Sequence, residues 1–417
     1  MPENTGGDRG GAMTLTPGAR LPAMALLLSG TLGISTAFGM LLLLPLYVQR
    51  LGGDEADFGV VMAAATITAA LCIGLLIRYP EALRPNAVLT IAILAYGLGA
   101  AGAAQVSGTW VPLIGIGILL GTAWAAVYAA SPMVMSEMVT DRERAAYFGY
   151  LTGTQQLGIG IGPVVARFLV GGELGFRGTF FVASSLCVLA AALTLTVGRL
   201  VPDARRGGSA GPGADAPLRT TLGRILRSET AFWLVMILLF ACLFTTLTSF
   251  QTTFAETRGL DFSVYYLSYT AAVILSRFGI ANLAARYDTR LVVAVAVSVT
   301  ALSVGSFLLV GSNTLLYGLA SGFVGIGYGL ALPAAQAQAV NVSEGPLRPR
   351  VLPLAGLLFE TMILAFPFLA GWVIAGFEYG AVFVLLVFLC LIQVGLGWER
   401  FLAARRTTHP TPSRRSA

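Results

Sequence analysis

The chain has 417 residues, 56% of them apolar and only 11% charged, against about 25% charged in soluble domains. With a mean hydropathy of +0.80, this excludes an ordinary soluble fold and makes the lipid bilayer the expected surroundings. The net charge of +6 comes from 26 arginines and no lysine; they are spread through loops, so no nucleic-acid partner is implied. The one histidine, His409, lies in the polar tail, and Cys72, Cys187, Cys242 and Cys390 have neither CxxC nor metal-ligand spacing. That excludes histidine catalysis, a histidine proton relay in the membrane and a Cys/His metal centre; no cofactor is expected.

In chain order, residues 1–18 are polar and Gly-rich and are predicted to be disordered. The N-terminal half, 19–200, holds six segments near the 20 or so apolar residues that a spanning helix needs. They are Pro22–Val48, Phe58–Ile77, Asn86–Val106, Trp110–Met135, Ala145–Leu169 and Thr179–Val197. The first is too long for a signal peptide and no small-residue cleavage site follows it, so it is read as a retained helix. Residues 201–229, with RRGGSAGPGADAP at their centre, are predicted to be a flexible linker. The C-terminal half, 230–400, holds Ala231–Ala255, Val264–Ala285, Leu291–Val310, Thr314–Val340, Val351–Ile374 and Tyr379–Leu396. Residues 401–417 form a basic tail, expected to be disordered from Arg405. The expected fold class is an all-α membrane protein of twelve transmembrane helices in two six-helix halves.

The halves repeat each other. Asp57-Phe58 recurs as Asp261-Phe262, Gly121 as Gly325 and Pro163 as Pro367, always 204 positions on. Parallel repeats of this kind build secondary transporters around a central site. Arginine placement supports twelve spans: 21 arginines fall in segments on the side of the termini, 3 (Arg50, Arg177, Arg258) on the other side, and Arg167 and Arg277 inside spans. By the positive-inside rule both termini are cytoplasmic, and a bacterial plasma membrane is the expected location.

The fifth segment carries Gly149, Gly158, Gly162 and Pro163 in the spacing G-x8-G-x3-G-P. Small residues there allow close approach of a helix from the other half, and proline bends the helix. With twelve spans, a central linker and the repeat, the chain resembles the major facilitator superfamily from Pro22 to Leu396. The glycine spacing is similar to that family's antiporter motif, which implies export by antiport. The chain departs from the family elsewhere. Ala166 and Arg167 stand where paired glycines are expected. The loop after the second segment reads IRYPEALRPN, with Glu81 alone in place of an aspartate. The loop after the eighth keeps Arg286, Asp288 and Arg290, and the one after the fourth has Asp141, Arg142 and Arg144. The resemblance implies that these charges pair with helix ends at a cytoplasmic gate; read alone, they are solvated charges that set orientation. Proton-driven drug exporters of the family often carry an arginine where this chain has Gly117.

Ionisable groups inside spans are costly and mark functional candidates. Arg167 is near the outer end of its segment and is expected to snorkel to the interface. Arg277 and Glu360 lie at similar depths, roughly 12 and 13 Å from the cytoplasmic ends of their helices. At the repeat offset Glu360 falls on Gln156 and Arg277 on Ile73. Desolvation favours the neutral form of a lone carboxyl at that depth, which suits a proton-coupling residue. The alternatives are a structural Glu360–Arg277 ion pair, a glutamate in an aqueous cavity without a coupling role, and two contacts for a solute bearing both a carboxylate and an amine.

The family fold implies a cavity lined by spans one, four, seven and ten. The candidates there are Thr31, Ser35 and Thr36; Trp124, Tyr128 and Ser131; Thr245, Thr246, Ser249 and Gln251; and Tyr328, Gln336 and Gln338. The leading expectation is a monomeric exporter of a small organic metabolite or drug in exchange for protons. A proton-coupled nutrient importer and a receptor-like or scaffold protein that no longer transports are the alternatives. No acidic pair inside a span supports a membrane enzyme.

Overall fold

A computed structural model describes residues 17–78, 84–139, 143–201, 223–225, 227–280, 286–343 and 348–408. All regular structure among them is helical, as hydrocarbon demands of backbone that cannot hydrogen-bond to water. Helix α1 runs Pro17–Met40, tightens at Leu41–Leu43 and resumes over Leu44–Arg50. Pro45 causes the tightening, because it has no N–H to give to the preceding turn. Then follow α2 (Glu55–Arg78), α3 (Pro85–Gln105), α4 (Leu113–Met138), α5 (Arg144–Gly171) and α6 (Gly175–Leu200).

The second half opens with α7, Glu229–Ser249, which breaks at Phe250 and continues as Gln251–Thr257. Helix α8, Phe262–Leu275, widens into a π turn at Ser276–Ile280. Helix α9 is Thr289–Ser306 with a tight last turn at Phe307–Leu309, and α10 is Thr314–Asn341. The final run, Arg348–Thr408, is bent at Glu378, whose φ of 65° and ψ of 176° are non-helical; it divides into α11 (348–377) and α12 (379–408). Among the described residues these twelve helices fall into two six-helix halves. Among the described residues, nine stretches are long and apolar enough to span a membrane, the last of them covering both α11 and α12. Helix α5 has the length but is more polar, and α8 is described over too few residues. Exposed Leu98, Phe168, Leu302 and Phe388 point outward, as a lipid-facing belt requires.

The structure departs from the sequence expectation in two places. Helix α12 runs through Thr408, so Arg405 continues a helix rather than a disordered tail. The linker expectation for 201–229 falls mostly outside the described residues. Asp57 and Asp261, equivalent by offset, occupy different positions. Asp261 caps α8, accepting from Ser263 N at 2.9 Å. In α2 the cap is Asp54, which exchanges backbone bonds with Asp57 in a capping box.

Packing bears out the repeat most clearly at two glycines. A Cβ on Gly121 of α4 would lie 2.6 Å from Ala65 Cβ of α2, and one on Gly325 of α10 would lie 2.5 Å from Tyr269 O of α8. Ala65 and Tyr269 are themselves 204 residues apart, so the same contact is built twice. The α5 glycines correct an expectation. Gly158 abuts Ser35 and Gly162 abuts Thr36 and Gly39, all on α1 of the same half. Contact with the other half is made by Gly160, which faces Thr270 of α8. Positions i and i+4 share a helix face while i+2 lies opposite, so one helix serves both contacts. Gly149 has nothing within 4 Å of a Cβ position. Overpacking at a tight contact costs about 1–3 kcal/mol, whereas replacing an unhindered helical glycine by alanine gains up to about 1 kcal/mol. We therefore expect Gly162→Ala to lower, and Gly149→Ala to maintain or raise, the melting temperature of the detergent-solubilised protein.

Candidate functional site: a cavity between the halves

A cavity of about 980 Å³ lies between the halves. Its walls come mainly from α1, α2, α4 and α5 on one side and α7, α8, α10 and α11 on the other, with Tyr96 of α3 and Thr289 and Val292 of α9 at their edges. They are largely aromatic. Phe38 stacks on Trp124 with ring centroids 4.0 Å apart, and Tyr96 leans on the same indole at 6.1 Å. Across the cavity Phe244 stacks on Tyr328 at 5.1 Å.

Glu360 and Arg277 are the charged side chains among the described lining residues. Glu360, on α11, is 2% exposed, and its Oε2 has no hydrogen-bond partner. Arg277 sits in the π turn of α8, a backbone irregularity that recurs at functional sites. Its Nη1 donates to Thr152 Oγ1 of the first half at a long 3.5 Å, and its Nε has no partner. No ion pair joins the two among the described residues. The structural ion pair raised by the sequence is therefore absent, and both groups face one cavity.

Of the other candidates, Trp124, Tyr128, Tyr328 and Gln336 line the cavity, as do Thr245 and Ser249. Thr31, Ser35 and Gln251 do not. Thr31 and Ser35 are buried, and Ser35 lies in the seam where α1 meets Gly158. Gln251 is 1% exposed and accepts from the Tyr317 hydroxyl at 2.9 Å inside the second half. The break at Phe250 turns it away from the cavity. Several hydroxyls in these helices bond a carbonyl one turn back, as Thr36 does with Leu32 O and Ser131 with Val127 O.

The sequence reading missed Gln155, Thr152, Phe38 and Phe359 as lining residues. Gln156 lines the cavity too, opposite its repeat equivalent Glu360; the offset was the signal that located it. Among the gate candidates, Asp288 caps α9 and accepts from Arg290 N at 2.8 Å, while Arg286 is exposed. Glu81, Asp141 and Arg142, and the side chain of Arg144, lie outside the described residues. The cysteines are free, and no metal-binding group occurs among the described residues.

The profile of the Major Facilitator Superfamily matches residues 24–344, more than half of the chain. The chain belongs to the Major Facilitator Superfamily. Solved structures agree at the level of fold. A bacterial homologue of the human lysosomal transporter Spinster, inward-facing and unoccupied, has a TM-score of 0.72 at 13% identity, covering 95% of this chain and all of that one. A mutant of the nucleoside transporter NupG has a TM-score of 0.69 at 15% identity, covering 92% of this chain and 100% of that one. The human organic anion transporter MFSD10 has a TM-score of 0.65 at 16% identity, with coverage of 92% and 100%. No curated protein sequence matches the chain.

In this superfamily member the cavity is sealed on the face away from the termini. Tyr379 of α12 donates to Glu55 Oε1 of α2 at 2.7 Å and lies 2.5 Å from Thr253 Oγ1. Gln49 Nε2 donates to the same Glu55 oxygen at 2.8 Å. Glu55, only 9% exposed, thus ties α1 and α2 to the second half. Beside it, Gly371 of α11 lies against the Glu55 backbone, Phe58 meets Phe250 edge-on, and Thr252 Oγ1 donates to Leu42 O at 3.4 Å. Two more ion pairs cross the seam, Arg50–Glu256 and Arg167–Asp261, each at 3.5 Å. Both are about half exposed and contribute little. Arg167 thus reaches outward as expected and ends on a carboxylate of the other half. Towards the termini the cavity lining runs to Gly149 and Tyr150 of α5 and Thr289 of α9. The ion pairs Arg20–Glu143 and Arg400–Glu229 on that side each stay within one half.

Removing the Tyr379 hydroxyl leaves Glu55 short of a donor, a loss of about 1–3 kcal/mol. We expect Tyr379→Phe to raise the maleimide-labelling rate of a Thr252→Cys reporter in the buried seam by about tenfold. An unchanged rate would mean that the hydroxyl does not hold this face shut.

Proposed function

We propose that this superfamily transporter exports a small organic solute in exchange for protons by alternating access, and that Glu360 carries the coupling. The observation behind this reading is a buried carboxylate, unpaired at Oε2, in a cavity between two halves that a hydrogen-bond network ties together at the face away from the termini. Such a group is stable when protonated or bound to a cationic solute and costly when ionised and empty. Alternating exposure of the cavity therefore alternates its occupants.

Arginine placement supports cytoplasmic termini in a plasma membrane, which makes the sealed face external. The α5 glycine spacing supports export, by resemblance to the antiporter motif. A monomer suffices, because the cavity is complete within one chain. The neutral first-half amide at Gln156 leaves Glu360 as the carboxylate of the cavity.

Gly117 favours a second reading, a proton-coupled importer. It lines the cavity where drug exporters of the family carry an arginine, and a Cβ there would lie 2.5 Å from Val61 Cγ1. No long side chain fits.

Metabolite profiling of a deletion strain identifies the solute: export predicts its accumulation inside the cells, import its depletion. In everted vesicles that solute should then discharge an imposed pH gradient. We expect Glu360→Gln to lower this discharge by about tenfold or more, equivalent to about 1.4 kcal/mol, while exchange of labelled for unlabelled solute continues. Full retention of the discharge would remove Glu360 from the coupling step.

A further inference from the structure

The second-half wall of the cavity presents two buried polar atoms of opposite charge, neither of them satisfied. Glu360 Oε2 accepts no hydrogen bond and Arg277 Nε donates none. The one described contact of the Arg277 guanidinium is the long bond to Thr152. Buried groups of this kind normally have partners, and here the partner is not the opposite charge, since no ion pair joins them. Both side chains face the same space.

We propose that the cavity takes an amphoteric aromatic solute, its basic nitrogen held by Glu360 and its acidic group by Arg277. The proposal rests on the transport reading above and specifies its solute. A purely cationic solute leaves the arginine donor unsatisfied. A purely anionic one leaves an ionised carboxylate with no cation. A neutral one leaves both. Only a solute with both charges satisfies the wall.

The rest of the cavity fits such a body. The first-half wall offers neutral amides at Gln155 and Gln156 and the Phe38–Trp124 stack, surfaces that suit a flat ring. The volume of about 980 Å³ is at the upper end of drug-sized pockets. Arginine presents a planar fork that matches a carboxylate or phosphate. No ion pair joins the two side chains among the described residues, so the charges of the solute belong on two separate groups rather than on neighbouring atoms.

The test uses four matched probes on the purified full-length protein: 4-(aminomethyl)benzoic acid, its methyl ester, its N-acetyl derivative and the doubly capped compound. They are respectively zwitterion, cation, anion and neutral. Binding is read by isothermal titration calorimetry. We expect the zwitterion to bind about tenfold or more tightly than either singly charged probe, as loss of a charge-assisted bond implies, and the neutral probe to bind most weakly. Arg277→Gln should bring the zwitterion down to the level of the ester and leave the ester unchanged. Glu360→Gln should bring it down to the level of the N-acetyl compound. The wild-type ranking needs no variant to fold. Binding of the ester as tight as that of the zwitterion, or no binding by any of the four, overturns the proposal. Proton release on binding, measured in the same titrations, reports the coupling separately. A zwitterion preference without proton release sinks proton exchange and leaves the amphoteric solute standing. Proton-linked exchange of a singly charged or neutral solute does the reverse.

Discussion

Helices in hydrocarbon gain little by burying apolar side chains against one another, because lipid is as apolar as leucine. What holds this protein together is therefore how closely its backbones approach, and small residues decide that. Gly39 against Gly162 locks α1 to α5, Gly121 locks α4 to α2 and Gly325 locks α10 to α8. These contacts lie inside a half and make it rigid. Contacts between the halves are of another kind. At α5–α8 they include Gly160 on Thr270, one long hydrogen bond and the Arg167–Asp261 ion pair; where α2 meets α11 and α12 they include Gly59 and Gly371 with the Glu55–Tyr379 network. Rigid halves joined by a few polar bonds can move as bodies, and the cavity lies between them.

Polar economy sets what the cavity can recognise. A count of serines and threonines in the lining helices overstates its polarity. Thr36, Ser131, Thr246 and Ser321 each return their hydroxyl to the carbonyl four residues back, which satisfies the donor and hides the group. Thr245 goes further and donates to Ile363 O of α11 at 2.6 Å, tying two second-half helices together. Once such groups are set aside, the polar lining is chiefly tyrosine hydroxyls, three glutamines and one charge of each sign. Unsatisfied bonding capacity is concentrated at Glu360 and Arg277, where an unpaired buried group costs most.

The spans and the two charges were legible in the sequence because they rest on local signals: length of apolar run, arginine alternation and an ionisable residue in an apolar helix. The pairing of Gln156 with Glu360 was legible because duplication leaves a fixed offset. Facing direction was less so. Gln251 reads as a cavity residue on an unbroken helix, and the break at Phe250 redirects it. The glycines of α5 read as one motif, yet alternate positions face different neighbours. The seal at Glu55 left no local trace, since Tyr379 lies 324 residues away. The π turn under Arg277 was also invisible, because α-helical and π-helical turns share the same residue types.

The asymmetry between Gln156 and Glu360 bears on how exchange is kept tight. Had the duplication kept a carboxylate on both sides, two like charges would face one cavity, and one would be forced neutral. With an amide opposite, the first half changes the surroundings of Glu360 only by covering it. Its wall there is Phe38, Trp124 and Tyr96, which brings low polarity and no counter-ion. Closing that wall over an empty, ionised carboxylate costs several kcal/mol. Closing it over a protonated carboxyl, or one bound to a solute nitrogen, avoids most of that cost. Under the proposed exchange the halves can therefore pass each other with a proton or with solute, and only slowly with neither. On that proposal, one carboxylate facing one amide is enough to suppress an empty-carrier leak.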